Sequence, residues 1–139
     1  MRAVMDTNVL VAGLRSRRGA AHEILRLLAR QQWTLVLSNN LLTEYQEVLH
    51  REQGALPYTH EEIERLLDGL CLGAEKKRLR SRWWPVLSDP DDEMMVHLAV
   101  EGRVEYVVTH NVRHLQPAGR FGVSVVTPAE FLQALRKKI

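Results

Sequence analysis

The chain has 139 residues, of which 45% are hydrophobic and 26% are charged, and its formal net charge is +2. This length and composition fit one globular domain over residues 1–139, and they exclude collagen-like, low-complexity and disordered classes. Cys71 is the single cysteine, which excludes an internal disulfide and a multi-cysteine zinc site. Because the sequence has neither an apolar run of about 18 residues nor a leader pattern, we expect a cytoplasmic protein without a membrane partner.

Strand-like and helix-like segments alternate along the chain. Short apolar or β-branched runs predict strands, and apolar residues at helical spacing predict helices. The patterns at 59–62 and 127–130 are capping boxes that begin two of the helices. In chain order the predicted elements are a strand over 2–5, a turn at 6–8, a helix over 20–30, a strand over 34–37, a helix that begins after 38–40, a helix over 59–73, a short strand near 77–79, a helix over 89–101, a strand over 105–109, a strand over 123–126 and a helix that begins at 127.

The predicted strands are continuously apolar, whereas a sheet with one solvent-exposed face has alternating apolar and polar residues. Strands that are buried on both sides are typical of parallel sheets covered by helices. The alternation of strands and helices therefore predicts an α/β fold with a mostly parallel central sheet.

Polar residues follow several of the predicted strands. Asp6 comes directly after the first strand, Ser38 and Asn39 after the second, and Thr109 and Asn111 at the end of a later one. The carboxyl ends of parallel strands share one edge, where ligands bind in open α/β sheets. Asp6 also has a purely structural interpretation, because an aspartate after a strand often forms a turn or caps a helix. Thr7 and Asn8, which follow it, are equally compatible with an ordinary turn.

Glu44 is the next candidate acid. At 100° per residue, Glu44 falls at the edge of the apolar stripe that contains Leu41, Tyr45 and Val48, whereas Glu47 points away from it. The spacing therefore allows Glu44 to line a cleft and predicts that Glu47 faces water. A surface carboxylate beside the core is the alternative for Glu44.

A third group of acids lies at the start of the helix predicted over 89–101. Acids in a first helical turn are stabilised by the helix dipole, so capping by Asp89 and its neighbours explains part of this group. Four acids exceed what capping requires, and Asp92 borders the apolar stripe. The pattern alone does not decide whether Asp92 or Asp91 is the functional acid. The group comprises Asp89, Asp91, Asp92 and Glu93.

Converging carboxylates repel one another, and a hard divalent cation such as Mg²⁺ or Mn²⁺ removes that repulsion. Such a cation activates water and stabilises charge on a phosphodiester. Basic clusters near an acidic centre suit a nucleic-acid substrate, although each cluster also fits a solvated face. The clusters comprise Arg15, Arg17 and Arg18, then Lys76, Lys77, Arg78, Arg80 and Arg82 followed by Trp83 and Trp84, and finally Arg136, Lys137 and Lys138.

Other catalytic motifs are absent from the sequence. It contains no dinucleotide-binding glycine pattern, no phosphate-binding P-loop and no nucleophile elbow. His22 and Glu23 begin a zinc-protease pattern, but Arg26 stands where the second histidine is required. His110 and His114 are four residues apart without an evident third ligand, so we interpret them as surface or loop histidines.

Taken together, these segments resemble the PIN-domain family, in particular its small prokaryotic VapC-like members that act as toxins of toxin–antitoxin systems. The resemblance covers residue 2 to about residue 133 and depends on the order and spacing of four motifs. Those motifs are the first strand with Asp6-Thr7-Asn8, the segment 38–49, the segment 89–93 with Ala99, and the strand 106–109 with its threonine.

The resemblance implies a three-layer α/β/α PIN-like fold with a central parallel sheet and a metal-dependent nuclease site. It assigns Asp6, Glu44 and Asp92 as ligands of Mg²⁺ or Mn²⁺, directly or through water. Many members carry a fourth acid where this chain has Asn111, which becomes an auxiliary ligand or water-positioning group. Four further residues have auxiliary positions, namely Thr7, which orients Asp6 or a phosphate, together with Asn8, Asp89 and Thr109.

The implied activity is that of a Mg²⁺/Mn²⁺-dependent endoribonuclease, a toxin with a cognate antitoxin and a homodimeric state. The RNA-binding candidates are Arg15, Arg17, Arg18, Lys76, Lys77 and Arg78, and Trp83 and Trp84 fit either base stacking or packing. Because Asn111 leaves the acidic set incomplete, a non-catalytic PIN-like module that binds RNA or protein is the alternative. A weaker alternative is a signalling domain that uses Asp6 or another acid at a strand end as a phosphate acceptor.

Overall fold

The structure, a computed structural model, describes residues 1–79 and 90–138. Five sequence-predicted residues therefore lie outside the described part, namely Asp89, Arg80, Arg82, Trp83 and Trp84. None of the helices in the two described ranges combines the length and apolarity needed to cross a membrane.

A parallel five-stranded sheet forms the centre of the described residues. Its strands lie in the order β3-β2-β1-β4-β5, so β1 is central and is paired to β2 on one side and β4 on the other. Met5 is in register with Val108, which aligns the carboxyl ends of β1 and β4. The strands are β1 (Arg2–Met5), β2 (Thr34–Leu37), β3 (Glu75–Lys76), β4 (Tyr106–Val108) and β5 (Ser124–Val126).

Helices cover both faces of the sheet and complete the predicted three-layer α/β/α architecture. The helices are α1 (Thr7–Arg15), α2 (Ala20–Ala29), α3 (Asn39–Arg51), α4 (His60–Gly73), α5 (Pro90–Glu101), α6 (Val112–Leu115) and α7 (Pro128–Lys138). Contacts between α1, α2, α3, α4 and α7 join these five into one layer, and α5 packs with α6. This division follows from right-handed crossovers, since the chain moves outward from β1 to β3 and then returns past β1 to β4 and β5.

The predicted turn at 6–8 was wrong, because α1 begins at Thr7 and continues to Arg15. This helix lacks a clean polar face. Six of its nine residues are buried, since it packs against both α2 and α3. A helix buried on several sides loses the 3.6-residue alternation that makes helices visible in a sequence.

The predicted strand near 77–79 was displaced by two residues, because β3 spans Glu75–Lys76. Its pairing explains the error, since β3 is a two-residue edge strand whose side chains are both exposed. No apolar run marks such a strand. The other predicted strands and the helices at 20–30, after 38–40, 59–73, 89–101 and after 127 are confirmed within a residue or two at their ends.

Gly13 permits the close approach of α1 and α2. A Cβ atom at this position would lie 2.5 Å from Leu25 Cδ1 and 2.9 Å from the backbone oxygen of Ala21. The leucine side chain is able to rotate away, but the carbonyl belongs to the α2 backbone. Gly69, on α4, is a matched control because nothing lies within 4 Å of its added Cβ.

We expect Gly13→Ala to lower the free energy of unfolding by about 1–3 kcal/mol through overpacking. Gly69→Ala should instead raise it by up to about 1 kcal/mol, since alanine favours a helix over glycine. Urea unfolding of both variants measures the difference. Equal stabilisation by the two substitutions would show that the α1–α2 contact is looser than the structure has it.

Candidate active site

Asp6 and Thr109 lie at the carboxyl ends of the central strand and its neighbour. The Thr109 hydroxyl donates a hydrogen bond to Asp6 Oδ2 at 2.6 Å and accepts one from the Asn111 backbone N–H at 3.0 Å. Thr109 is fully buried. Its hydroxyl therefore links the predicted first acid to the turn that carries Asn111.

Backbone hydrogen bonds extend the sheet pairing just past the strand ends. The Asp6 N–H donates to the Val108 carbonyl at 2.9 Å, and the Thr109 N–H donates to the Val126 carbonyl at 2.9 Å. These bonds hold both site residues to the sheet, so Asp6 and Thr109 stand on backbone that is fixed by three adjacent strands. Rigid backbone of this kind suits a site that must keep polar groups in register.

Glu44 reaches the same edge from α3. The Ser38 side chain caps this helix by accepting a hydrogen bond from the Leu41 N–H at 3.1 Å. The Thr7 hydroxyl donates a short hydrogen bond to Glu44 Oε2. Thr7 follows Asp6 directly, so this bond places Glu44 beside the end of β1.

The predicted orientation of the two α3 glutamates is confirmed, because Glu44 is half-buried and Glu47 is exposed. The structure also adds a residue that the sequence analysis had assigned to the core alone. Tyr45 is completely buried, and its hydroxyl donates a short hydrogen bond to the Met5 carbonyl. Because Tyr45 lies on the apolar stripe of α3, the pattern indicates only a core residue. Its hydroxyl could have indicated this polar contact, since a buried tyrosine usually needs a hydrogen-bond partner.

Burial sets the electrostatics of the site. Desolvation raises the pKa of Asp6 above its ordinary value, while the Thr109 hydroxyl, the backbone amides of Thr7 and Asn8, and the charge of His110 oppose the rise. Desolvation likewise raises the pKa of Tyr45, and the negative charges of Asp6 and Glu44 add to the shift. Tyr45 therefore stays a neutral hydrogen-bond donor beneath two acids.

Asp92 and Asn111 belong to the other helical layer, Asp92 within α5 and Asn111 directly before α6. Asp92 is half-buried in the first turn of α5, which packs against both β1 and β2. Asn111 is exposed directly before α6. Asn8 accepts a 3.4 Å hydrogen bond from the His110 backbone N–H, which connects the first turn of α1 to the same segment.

A cavity of about 240 Å³ opens between α3 and α5. Glu44 and Glu47 line it from α3, and Met94 and Met95 line it from α5. Open space thus lies between Glu44 and α5, the helix that carries Asp92. A small group of the size of a phosphate with its waters has room here.

The donor set at this edge suits a hard cation. Asp6 and Glu44 offer carboxylate oxygens there, and both are partly or largely shielded from solvent. The half-buried Asp92 on α5 is the third acid that the resemblance assigns. A raised pKa at Asp6 shows that its negative charge is not fully compensated by the hydrogen bonds of the chain. Mg²⁺ and Mn²⁺ prefer oxygen ligands of this kind.

The basic residues occupy two different edges of the sheet. Lys77 follows the carboxyl end of β3, where its N–H donates to the Leu37 carbonyl at 2.7 Å, so the segment 76–78 lies on the edge that carries Asp6. Arg15, which lies 3.7 Å from Glu52, is at the far end of α1, about 12 Å from Thr7 along the helix axis. Arg17 and Arg18 follow it and are exposed.

The comparisons with known proteins agree with this architecture. A family model described as a PIN domain matches residues 2–113. A chain in the crystal structure of VapBC2 from Rickettsia felis, bound to a DNA fragment from its promoter, superimposes with a TM-score of 0.61 at 15% sequence identity. That match covers 91% of this chain and 98% of the other. The search of curated proteins finds no match.

Thr109 provides a test of the buried network. We expect Thr109→Val to lower the free energy of unfolding by about 1–3 kcal/mol, since the Asn111 N–H and Asp6 both lose a buried partner. The control is Thr43→Val on α3, where an exposed hydroxyl donates to the Asn39 carbonyl at 2.9 Å. This control should change stability by no more than about 0.5 kcal/mol. Similar urea midpoints for the two variants would contradict the network.

Proposed function

The chain belongs to the PIN-domain family, and on that premise we propose that it is a Mg²⁺/Mn²⁺-dependent endoribonuclease. The observation that carries this proposal is the connected set at the carboxyl edge of the sheet, in which Thr109 holds Asp6 and Thr7 holds Glu44. Placing two half-buried carboxylates close together costs folding free energy, because each loses hydration and the two charges repel. They are useful where a cation and a phosphodiester meet.

In this proposal Asp6, Glu44 and Asp92 hold the cation, and Asn111 positions a water through its amide. When bound, the cation supplies an activated water and offsets charge on the phosphodiester under attack. Thr109 and Thr7 keep Asp6 and Glu44 oriented through their hydroxyls. Tyr45 anchors α3 to β1 from below. Attack on phosphorus with loss of the 3′ oxygen gives a product with a 5′-phosphate.

The proposal extends to the biological setting. The matched Rickettsia felis structure is described as VapBC2 bound to promoter DNA, and this fold similarity supports a VapC-like toxin with a cognate antitoxin. A homodimer and a cytoplasmic location belong to the same proposal. Light scattering of the purified chain, alone and co-expressed with the product of an adjacent small reading frame, tests the assembly.

The first experiment measures cleavage of a labelled pool of structured RNA with Mg²⁺, Mn²⁺ or EDTA. We expect metal-dependent cleavage that falls at least about 100-fold in Asp6→Asn, Glu44→Gln and Asp92→Asn, since even outer-shell partners of a metal contribute about 10–100-fold. Asp68→Asn is the control, because this exposed carboxylate lies on α4 and does not line the cavity between α3 and α5.

The outcomes separate the enzyme from the alternative. RNA binding that persists without any cleavage, in EDTA as in Mn²⁺, would identify a non-catalytic binding module. Cleavage that is lost to the same extent in Asp68→Asn would show that the loss in the Glu44 variant is not specific to the site. Ligation of the downstream fragment, which requires a 5′-phosphate, checks that the bond to the 3′ oxygen is the one that breaks.

A second experiment tests the basic segment beside the site. Replacing Lys76, Lys77 and Arg78 by Ala should weaken RNA binding and reduce the salt slope by up to about 2, because each phosphate contact on a single strand contributes about 0.7. Replacing Arg136, Lys137 and Lys138 removes the same charge at the opposite edge, where Lys138 lies 3.5 Å from Glu105. If both triple variants show the same salt slope of RNA binding, the segment 76–78 has no special contact with RNA and is only a solvated surface.

A further inference from the structure

A group of metal-ligating side chains lies between α3 and α4, apart from the predicted acids. It comprises His50 in the last turn of α3, His60 at the first residue of α4, and Glu64 one turn further along α4. One ligand atom from each of the three lies within 4.8 Å of the others. From this group we propose a second metal site, one that takes Zn²⁺.

The geometry requires only small adjustments for zinc. Bonds of about 2.0–2.2 Å in a tetrahedral site place ligand atoms about 3.3–3.6 Å apart. His50 Nε2 already lies 3.3 Å from a Glu64 carboxylate oxygen. His60 is exposed and Glu64 is partly exposed, so rotation of these two side chains is able to close the remaining separation without moving the backbone.

His50 supplies an independent reason to expect a ligand here. Within the described residues, neither ring nitrogen of His50 has a hydrogen-bond partner, and both nitrogens are buried. The contact between Nε2 and Glu64 is short but is not aligned as a hydrogen bond. Buried polar atoms in native proteins are nearly always satisfied, so an unpartnered imidazole calls for an explanation. A metal bond to one nitrogen supplies it.

The surroundings orient the ligands as metal sites commonly do. The Gln46 side chain, one turn before His50 on α3, donates a hydrogen bond to Glu64 Oε1 at 3.2 Å. This bond holds the carboxylate so that its other oxygen faces His50. The His50 and His60 rings are stacked with centroids 4.3 Å apart and planes 29° apart, which brings imidazole nitrogens from two helices to one place. Outer-shell hydrogen bonds of this kind fix ligand orientation.

The ligand set selects the class of metal. Two imidazoles and one carboxylate suit Zn²⁺, whereas the all-oxygen set at the sheet edge suits Mg²⁺ or Mn²⁺. Three protein ligands leave a fourth position for water. His50 follows Glu44 by six residues, about 9 Å along α3, so the two sites are distinct but share one helix. Zinc would join the end of α3 to the start of α4 across the loop that contains Gly54 and Pro57.

Metal titrations of the tag-free protein test the proposal. We expect one equivalent of Zn²⁺ to bind and to raise the melting temperature, since a ligand of the folded state stabilises it by mass action. Co²⁺, used as a coloured substitute, should give visible absorption that Zn²⁺ displaces. His60→Ala and Glu64→Gln should each weaken binding more than tenfold, and Gln46→Ala should weaken it about 10–100-fold.

The control is His114→Ala, an exposed histidine outside the group, which should bind Zn²⁺ like the parent. His60 is exposed, so its substitution leaves the core intact, and circular dichroism verifies the fold of each variant. Equal Zn²⁺ affinity in the parent and His60→Ala would overturn the proposal. So would the absence of binding to the parent at millimolar Zn²⁺.

This inference does not rest on the proposed nuclease activity, and the two fail separately. Asp6→Asn should retain the Zn²⁺ equivalent, and His60→Ala should retain cleavage in Mn²⁺. If no RNA is cleaved, the Zn²⁺ titration still decides the second site. If His60→Ala binds as the parent does while Asp6→Asn loses Zn²⁺, the metal belongs to the sheet edge and the second site is refuted.

Discussion

The central position of β1 is the constraint on which the candidate site depends. Because β1 pairs with β2 and β4 in parallel, the residues that follow all three strands meet at one edge. Bonds beyond the strand ends keep this alignment, notably the 2.9 Å bond from the Asp6 N–H to the Val108 carbonyl. Tyr45 adds a link from α3 to the Met5 carbonyl. A break in this pairing would move Asp6, Glu44 and Thr109 together.

Hydroxyl groups allow the acids to be buried. Thr109 donates to Asp6 and Thr7 donates to Glu44, so each carboxylate has a donor that carries no charge of its own. Uncharged donors lower the cost of burial without neutralising the acid. The raised pKa of Asp6 shows what remains uncompensated.

Helix α3 connects the two metal sites that we propose. It begins at the carboxyl edge of the sheet with the Ser38 cap, carries Glu44 in its middle and ends with His50 against α4. The two sites differ in donor chemistry, since oxygen ligands surround one and imidazoles dominate the other. Because the two sites are separated along α3 and differ in ligands, Mg²⁺ or Mn²⁺ binding at one and Zn²⁺ binding at the other can be measured separately. Zinc at the far end would stiffen the element that positions Glu44.

The sequence by itself determined the α/β class, most strands and helices, and the half-buried and exposed positions of Glu44 and Glu47. These features depend on local periodicity and capping, which are readable over a few residues. Helix α1, strand β3 and the role of Tyr45 were decided by the tertiary structure alone. Packing on several sides hides the period of α1, edge pairing makes a strand of Glu75–Lys76, and a hydroxyl partner 40 residues away leaves no local pattern. The meeting of His50 with His60 and Glu64 has the same cause, because helix packing brings together residues that the sequence separates by a loop.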